Sequence, residues 1–247
     1  FDKLILNNNE VIKELSVGII GFGRFGQFLG KELVKEFHVY ATSRTNYTSV
    51  AKDMNINFIH DMHTFLKLDL DCIIISTSIL SFKKVIQNMA KYSDLLQHKL
   101  IVDVCSVKEY PKQVMLKYFP TSSDILCTHP MFGPDSGKNG WNKLPFVYDK
   151  VRITCEEICD KFISFFVNKN CEMIEMSCEE HDKYAASSQL ITHLTGRILS
   201  EFNLKSTPIN TKGFEMLLGV INNTNKDSFE LFKGLYTYNS NSHKQLY

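Results

Sequence analysis

Through the first two thirds of the chain, apolar residues fall in short continuous runs separated by stretches of helical period. The runs at 15–20, 38–43, 55–59, 71–77, 100–105, 124–127, 145–148 and 171–176 read as strands, and 71–77 and 100–105 are apolar enough to be covered on both faces. Between them, 27–36, 62–67, 82–91 and 156–168 carry the helical pattern. Alternating strands and helices predict parallel βαβ units, that is, an α/β fold with a Rossmann-type, mostly parallel sheet. After Cys178 the strand signal ends. A long helix is expected over 180–203, with Ala185, Ala186, Leu190, Ile191, Leu194 and Ile198 on one face, and shorter ones over 212–221 and 228–238. The pattern thus divides into an N-terminal extension (1–14), a dinucleotide-binding domain (15–177) and a smaller all-helical domain (178–247). Three helices bury little by themselves, so the last part is expected to serve as a homodimerisation and substrate-binding domain.

The first strand runs into Gly21-Phe22-Gly23-Arg24-Phe25-Gly26 and a helix follows. In this order Gly21 serves the tight turn, Gly23 the approach of a pyrophosphate, and Gly26 the close packing of helix on strand. Arg24 and Phe25 complete the expected cofactor loop, and the helix N-terminus offers free N–H groups to the phosphates. Where NAD-binding folds carry an acidic residue for the ribose 2′-hydroxyl, the second strand ends in Thr42-Ser43-Arg44-Thr45. An arginine flanked by hydroxyls suits a 2′-phosphate, so Ser43, Arg44 and Thr45 point to NADP. Thr77, at the carboxyl end of its strand, joins the cofactor set.

Two further strand ends carry chemistry. Ser106 follows one, and His129 with Pro130 follows the next; the prolines at 130 and 134 are expected to stop regular structure and hold His129 on a stiff turn. A histidine there exchanges protons near neutral pH. The polar loop 135–141, with the sole tryptophan, suits a lid. On the long helix His181, Gln189, Thr192, His193 and Arg197 are candidates to face the cleft.

Composition narrows the partners. With 44% hydrophobic residues, 22% charged and a net charge of +1, the chain has no electrostatic reason to bind nucleic acid. No stretch approaches the ~20 apolar residues of a membrane span. The seven cysteines are odd in number and scattered, with no C-x-x-C pair, so neither a zinc site nor another metal centre is expected and reduced thiols are.

Taken together, the glycine turn, Asp103-Val104-Cys105-Ser106-Val107-Lys108, His129-Pro130-Met131-Phe132-Gly133-Pro134 with Lys138-Asn139-Gly140-Trp141, and Met176-Ser177-Cys178-Glu179-Glu180-His181-Asp182 resemble the prephenate/arogenate dehydrogenase family. Ser188 to His193 and Thr211 to Glu215 resemble its plant branch, and within it the legume-type, prephenate-preferring members. The resemblance implies an NADP-dependent oxidative decarboxylation in tyrosine biosynthesis, with His129 as the catalytic histidine and Ser106 orienting the substrate hydroxyl. It also implies Gln189, Thr192 and His193 around the substrate, and Arg197 as a guess for the ring carboxylate. Asn222 stands where an acidic residue is expected in arogenate dehydrogenases. Losing a charge-assisted bond to the arogenate ammonium is worth ~1.5–3 kcal/mol, about 10- to 150-fold. Hence prephenate is the expected substrate, with weakened tyrosine feedback, and arogenate the alternative. A cytoplasmic location is expected with it, or the plastid if a transit peptide has been removed. Two rivals have less support: a β-hydroxyacid dehydrogenase, which would rely on Lys183, and an NADP-sensing module, which would not need Ser106 and His129.

Overall fold

The computed structural model describes residues 15–246; the expected N-terminal extension at 1–14 lies outside the described residues. Eight strands form one sheet: β1 (Ser16–Ile20), β2 (His38–Thr42), β3 (Asn57–Phe58), β4 (Cys72–Ile75), β5 (Leu100–Asp103), β6 (Asp124–Pro130), β7 (Pro145–Arg152) and β8 (Glu172–Glu175). Their spatial order is β3-β2-β1-β4-β5-β6-β7-β8. β1 to β6 are mutually parallel, while β7 runs antiparallel to β6 and β8 follows β7. The chain moves outward one way from β1 to β3 and then returns to place β4 on the other side of β1. That reversal opens a crevice beyond the carboxyl ends of β1 and β4, the place where such sheets bind ligands.

Helices cover both faces. On one side α1 (Arg24–Leu33), α2 (Thr48–Asp53) and α6 (Glu156–Asn168) bury Leu29, Leu33, Ala51, Phe162, Phe165 and Phe166 against the sheet. On the other, α3 (Met62–Leu66), α4 (Ile79–Met89) and α5 (Glu109–Tyr118) bury Phe65, Phe82, Ile86, Met89, Val114 and Met115. A 3-10 segment, Ala90–Leu96, extends α4. The sequence pattern had offered no sign of α2 or α5. Pro111 makes α5 read as a loop, yet proline is tolerated in a first turn, where its missing N–H would have no partner anyway.

The C-terminal segment folds as α7 (Cys178–Ser187), α8 (Gln189–Ser200), α9 (Lys212–Thr224), α10 (Phe229–Tyr238) and α11 (Ser242–Leu246). The single long helix expected over 180–203 is instead two. Ser187 and Ser188 both donate hydroxyl bonds to the Tyr184 carbonyl, at 3.1 and 2.7 Å, and Ser188 adopts φ −119°, ψ −75°. Serine hydroxyls competing for a helix carbonyl are a recognised cause of such breaks. Cys178, Leu190 and Leu235 join the second core cluster, so α7, the start of α8 and α10 close onto the sheet domain. By contrast α8 and α9 pack mainly on each other, where Gly196 lies against Thr224. Around them Phe202, Ile209 and Met216 remain largely exposed.

Candidate active site

The crevice encloses about 530 Å³. Its walls come from the glycine turn (Arg24, Phe25), the end of β4 (Ser76, Thr77), the end of β5 (Cys105, Ser106), the end of β6 (His129, Pro130) and the helical segment (Gln189, Lys226, Asp227, Leu231). Six separate stretches of sequence thereby meet in one cavity, Gln189 and the residues from Lys226 onward being two of them.

The turn is built for close approach. Gly21 has φ +98°, a conformation that favours glycine, and a Cβ there would lie 2.4 Å from the Ser76 carbonyl oxygen. At Gly26 a Cβ would lie 2.2 Å from the Gly21 oxygen, so only glycine lets α1 pack this closely. Gly23 differs, since a Cβ there meets nothing within 4 Å. That open space adjoins the first turn of α1, whose first intrahelical bond to the turn is Gln27 N–H to Gly23 O at 2.9 Å. The preceding amides of Arg24, Phe25 and Gly26 have no intrahelical partner, as at any helix start. With the buried and unpartnered Ser76 Oγ and Thr77 Oγ1, these groups fit a dinucleotide pyrophosphate and its neighbouring ribose. Ser43 is half-buried and Arg44 and Thr45 are exposed just past β2, apart from the main crevice but beside the turn, since Thr42 pairs with Ile20. Arg24 donates to Asp135 at 2.6 Å, both side chains being largely exposed.

His129 does not stand on a turn. β6 continues through Pro130, with His129 opposite Val147 and Pro130 opposite Phe146 of β7. The proline is accommodated at the strand's last position, and pairing resumes with Met131 N–H to Pro145 O at 2.9 Å. The imidazole is thus held by a sheet, more rigidly than the sequence suggested. It is 4% exposed, and Nδ1 lies 2.8 Å from His181 Nε2. His181 Nδ1 in turn lies 2.8 Å from Asp182 Oδ1. Burial, then the His181 ring and the Lys108 ammonium, push the His129 pKa well below the ordinary histidine value. His129 is therefore neutral at pH 7, as a proton acceptor must be.

Lys108 is 1% exposed and reaches Asp103 Oδ1 and the Thr128 carbonyl, next to His129. Burial pushes Asp103 up, with Lys108 opposing it. The same burial works against the charge on Lys108, but Asp103 overrides it and holds the ammonium above the ordinary lysine value. This pair ties the end of β5 to the end of β6.

The other expected residues separate. Gln189 opens α8 with Oε1 buried, unpartnered and lining the crevice. Thr192 is exposed and donates to the Ser188 carbonyl at 3.0 Å. His193 is buried one turn along, 3.8 Å from Asp227 Oδ2, and lies off the cavity wall. Asn222 is exposed on the last turn of α9, and Arg197 is held by the carbonyls of Asp227 and Ser228 between Phe229 and Phe232. Neither lines the crevice. The loop 135–141, expected as a lid, is anchored at its end, because Trp141 is 4% exposed and stacks on Phe166 (5.7 Å, 16°), with Phe28 and Phe132 beside it. Among the described residues no helix is long and apolar enough to cross a membrane.

Comparison with known proteins bears on the family and the fold. The profile of the prephenate dehydrogenase nucleotide-binding domain matches residues 26–161, and a TYRAAT1-like C-terminal domain profile matches 198–247. Arogenate dehydrogenase 2, chloroplastic, of Arabidopsis thaliana is 48% identical over 94% of this chain and 66% of its own length. Arogenate dehydrogenase 1, chloroplastic, from the same plant is 49% identical over 94% of this chain but 37% of its own. The chain thus spans about two thirds and just over one third of these two relatives. Among solved structures, a prephenate dehydrogenase from A. aeolicus with hydroxyphenyl propionate and NAD+ superposes with TM-score 0.75 at 16% identity, over 95% of this chain and 86% of that one.

Proposed function

The chain belongs to the prephenate/arogenate dehydrogenase family, and from that premise we propose that it oxidatively decarboxylates a cyclohexadienol, arogenate, with NADP as oxidant. One observation carries the reading: His129, neutral and fixed in the sheet, shares a cavity wall with Ser106 and with the glycine turn. In this reading Gly21, Gly23, Gly26 and the first amides of α1 hold the pyrophosphate, and Ser43 and Arg44 the 2′-phosphate. The bound dinucleotide supplies the hydride acceptor. His129 accepts the proton of the ring hydroxyl at Nε2, while Ser106 and Gln189 orient the ring. Carbon dioxide then leaves and the ring becomes aromatic. The two Arabidopsis relatives, named as arogenate dehydrogenases and chloroplastic, support arogenate and a plastid setting over the prephenate and cytoplasmic expectations.

A second reading, prephenate as substrate, rests on Asn222. That residue carries no charge for an ammonium and lies one turn before the cavity-lining Lys226. We further propose that the exposed apolar residues around α8 and α9 pack against a second copy of the chain in a homodimer, because Phe202 (67%), Ile209 (87%) and Met216 (74%) present large apolar side chains to solvent on that one helical segment.

Turnover of arogenate and of prephenate with NADP and with NAD, followed by the absorbance of reduced nicotinamide, tests the substrate and cofactor readings, and sedimentation tests the dimer. The expectation is NADP-linked oxidation of arogenate, lowered about 10²- to 10⁴-fold by His129→Gln. A wild-type rate retained in that variant sinks the reading. Prephenate preference that reverts in Asn222→Asp would install the second one.

A further inference from the structure

Asp182 is more than a partner for one histidine. Its Oδ1 accepts from the Lys108 N–H at 2.8 Å and its Oδ2 from the Glu109 N–H at 3.0 Å, so the carboxylate caps the start of α5. Its main-chain oxygen accepts from Asn239 Nδ2 at 2.7 Å. The start of α5, α7 and the end of α10 therefore hold this residue in place. With both oxygens already accepting backbone N–H bonds, the carboxylate faces His181 as an acceptor.

From this we infer that Asp182 and His181 are positioning residues that set the tautomer of His129, a step that rests on the dehydrogenase reading above. An accepting Asp182 takes the His181 proton on Nδ1, and that tautomer carries its lone pair at Nε2. At 2.8 Å that lone pair requires a proton on His129 Nδ1. His129 Nε2 is left bare, and since His129 lines the crevice, this is the nitrogen available to a ligand. The two rings meet edge to face, 63° apart, so rotation of either would break the chain. As the substrate O–H bond breaks and the Nε2–H bond forms, the electron pair of the carbinol C–H bond leaves as hydride to the dinucleotide. Positive charge then develops on His129, and its Nδ1–H bond to His181 becomes charge-assisted and stronger.

The test uses the whole chain labelled with 15N-histidine, and the variants His181→Leu and His181→Gln. In the wild type at neutral pH, His129 is expected to carry its proton on Nδ1. Leucine removes the acceptor, and His129 should shift toward the Nε2-protonated form that free histidine prefers in water. Glutamine, whose amide can accept from His129 and donate to Asp182, should restore the Nδ1-protonated form. Turnover should follow: kcat falls at least ~10-fold in the leucine variant, within the ~10²–10⁴-fold worth of a general base, and recovers in the glutamine variant. KM for the dinucleotide should remain within about 2-fold, because neither residue lies on the glycine turn. A wild-type His129 protonated on Nε2 overturns the inference, even if the leucine variant does not fold. So does a leucine variant with wild-type tautomer and kcat. If the wild type oxidises neither arogenate nor prephenate, the function reading falls, yet the tautomer measurement still decides this one.

Discussion

Gly23 and Gly26 offer a paired perturbation in which packing and binding part company. An alanine at 26 places Cβ 2.2 Å from the Gly21 oxygen, where ordinary contact begins at 3.4 Å. Backbone cannot swing aside as a side chain can, so α1 must back away by about 1 Å. Overpacking of this kind costs ~1–3 kcal/mol, and alanine's helix propensity returns about 1. The net loss is up to about 2 kcal/mol, or up to ~8 °C in Tm for a chain of this size. A displacement of about 1 Å at the cofactor loop should lower kcat/KM for the dinucleotide on the order of 10²-fold. Gly23→Ala meets no atom, so stability should lie within about 0.5 kcal/mol of wild type. Yet the methyl occupies the space through which phosphate must reach the amides. Losing one charge-assisted bond there costs ~1.5–3 kcal/mol, about 10- to 150-fold in Kd. Thermal unfolding without cofactor and calorimetric titration with NADP measure both quantities. If Gly23→Ala binds NADP as the wild type does, the pyrophosphate does not lie over this turn and the site assignment is wrong.

Other perturbations probe the remaining parts. Lys108→Met should destabilise by ~3–5 kcal/mol because Asp103 is left buried and unpaired, and adding Asp103→Leu should recover most of it; equal unfolding midpoints for wild type and single variant would remove the pair's structural role. Because the folded chain holds His129 neutral, the acid limb of kcat/KM should lie well below pH 6.5. The unfolded chain binds that proton as pH falls through 6.5 while the folded one does not, so stability should decline downward from there; a flat urea midpoint across that window contradicts it. Gly196→Ala brings a Cβ within 2.1 Å of Thr224 Oγ1 and should force α8 and α9 apart, losing the expected dimer before the sheet domain melts; sedimentation beside thermal unfolding shows the order of events.

Much of the fold was legible because its signals are local. Runs such as 71–77 and 100–105 are apolar on both faces, and their shortness and isoleucine and valine content favour a covered strand over a helix. α5 was not legible, because what starts it is Asp182, distant in sequence and adjacent only after folding. His129 was identified for its place after a strand, but its setting was misread: Pro130 proved compatible with the strand's end once β7 lay alongside. Ser106, Thr77 and Gln189 reach the cavity as expected. Thr192, His193 and Asn222 do not, because the break at Ser188 and the separate packing of α8 on α9 direct them elsewhere. His181 was only one of several polar candidates. Its role as a link follows from the β6 histidine against which it packs, and no helical period can reveal that.

Trp141 has a practical consequence. It is the only indole in the chain, and it is wedged into the aromatic wall that continues through Phe28 and Phe132, the latter lining the crevice. Its emission overlaps the absorption of a reduced nicotinamide but not of an oxidised one. Ultraviolet fluorescence of the unlabelled protein should therefore dim as reduced dinucleotide forms in the crevice and brighten on its release, an intrinsic optical gauge of occupancy and redox state in a single cuvette.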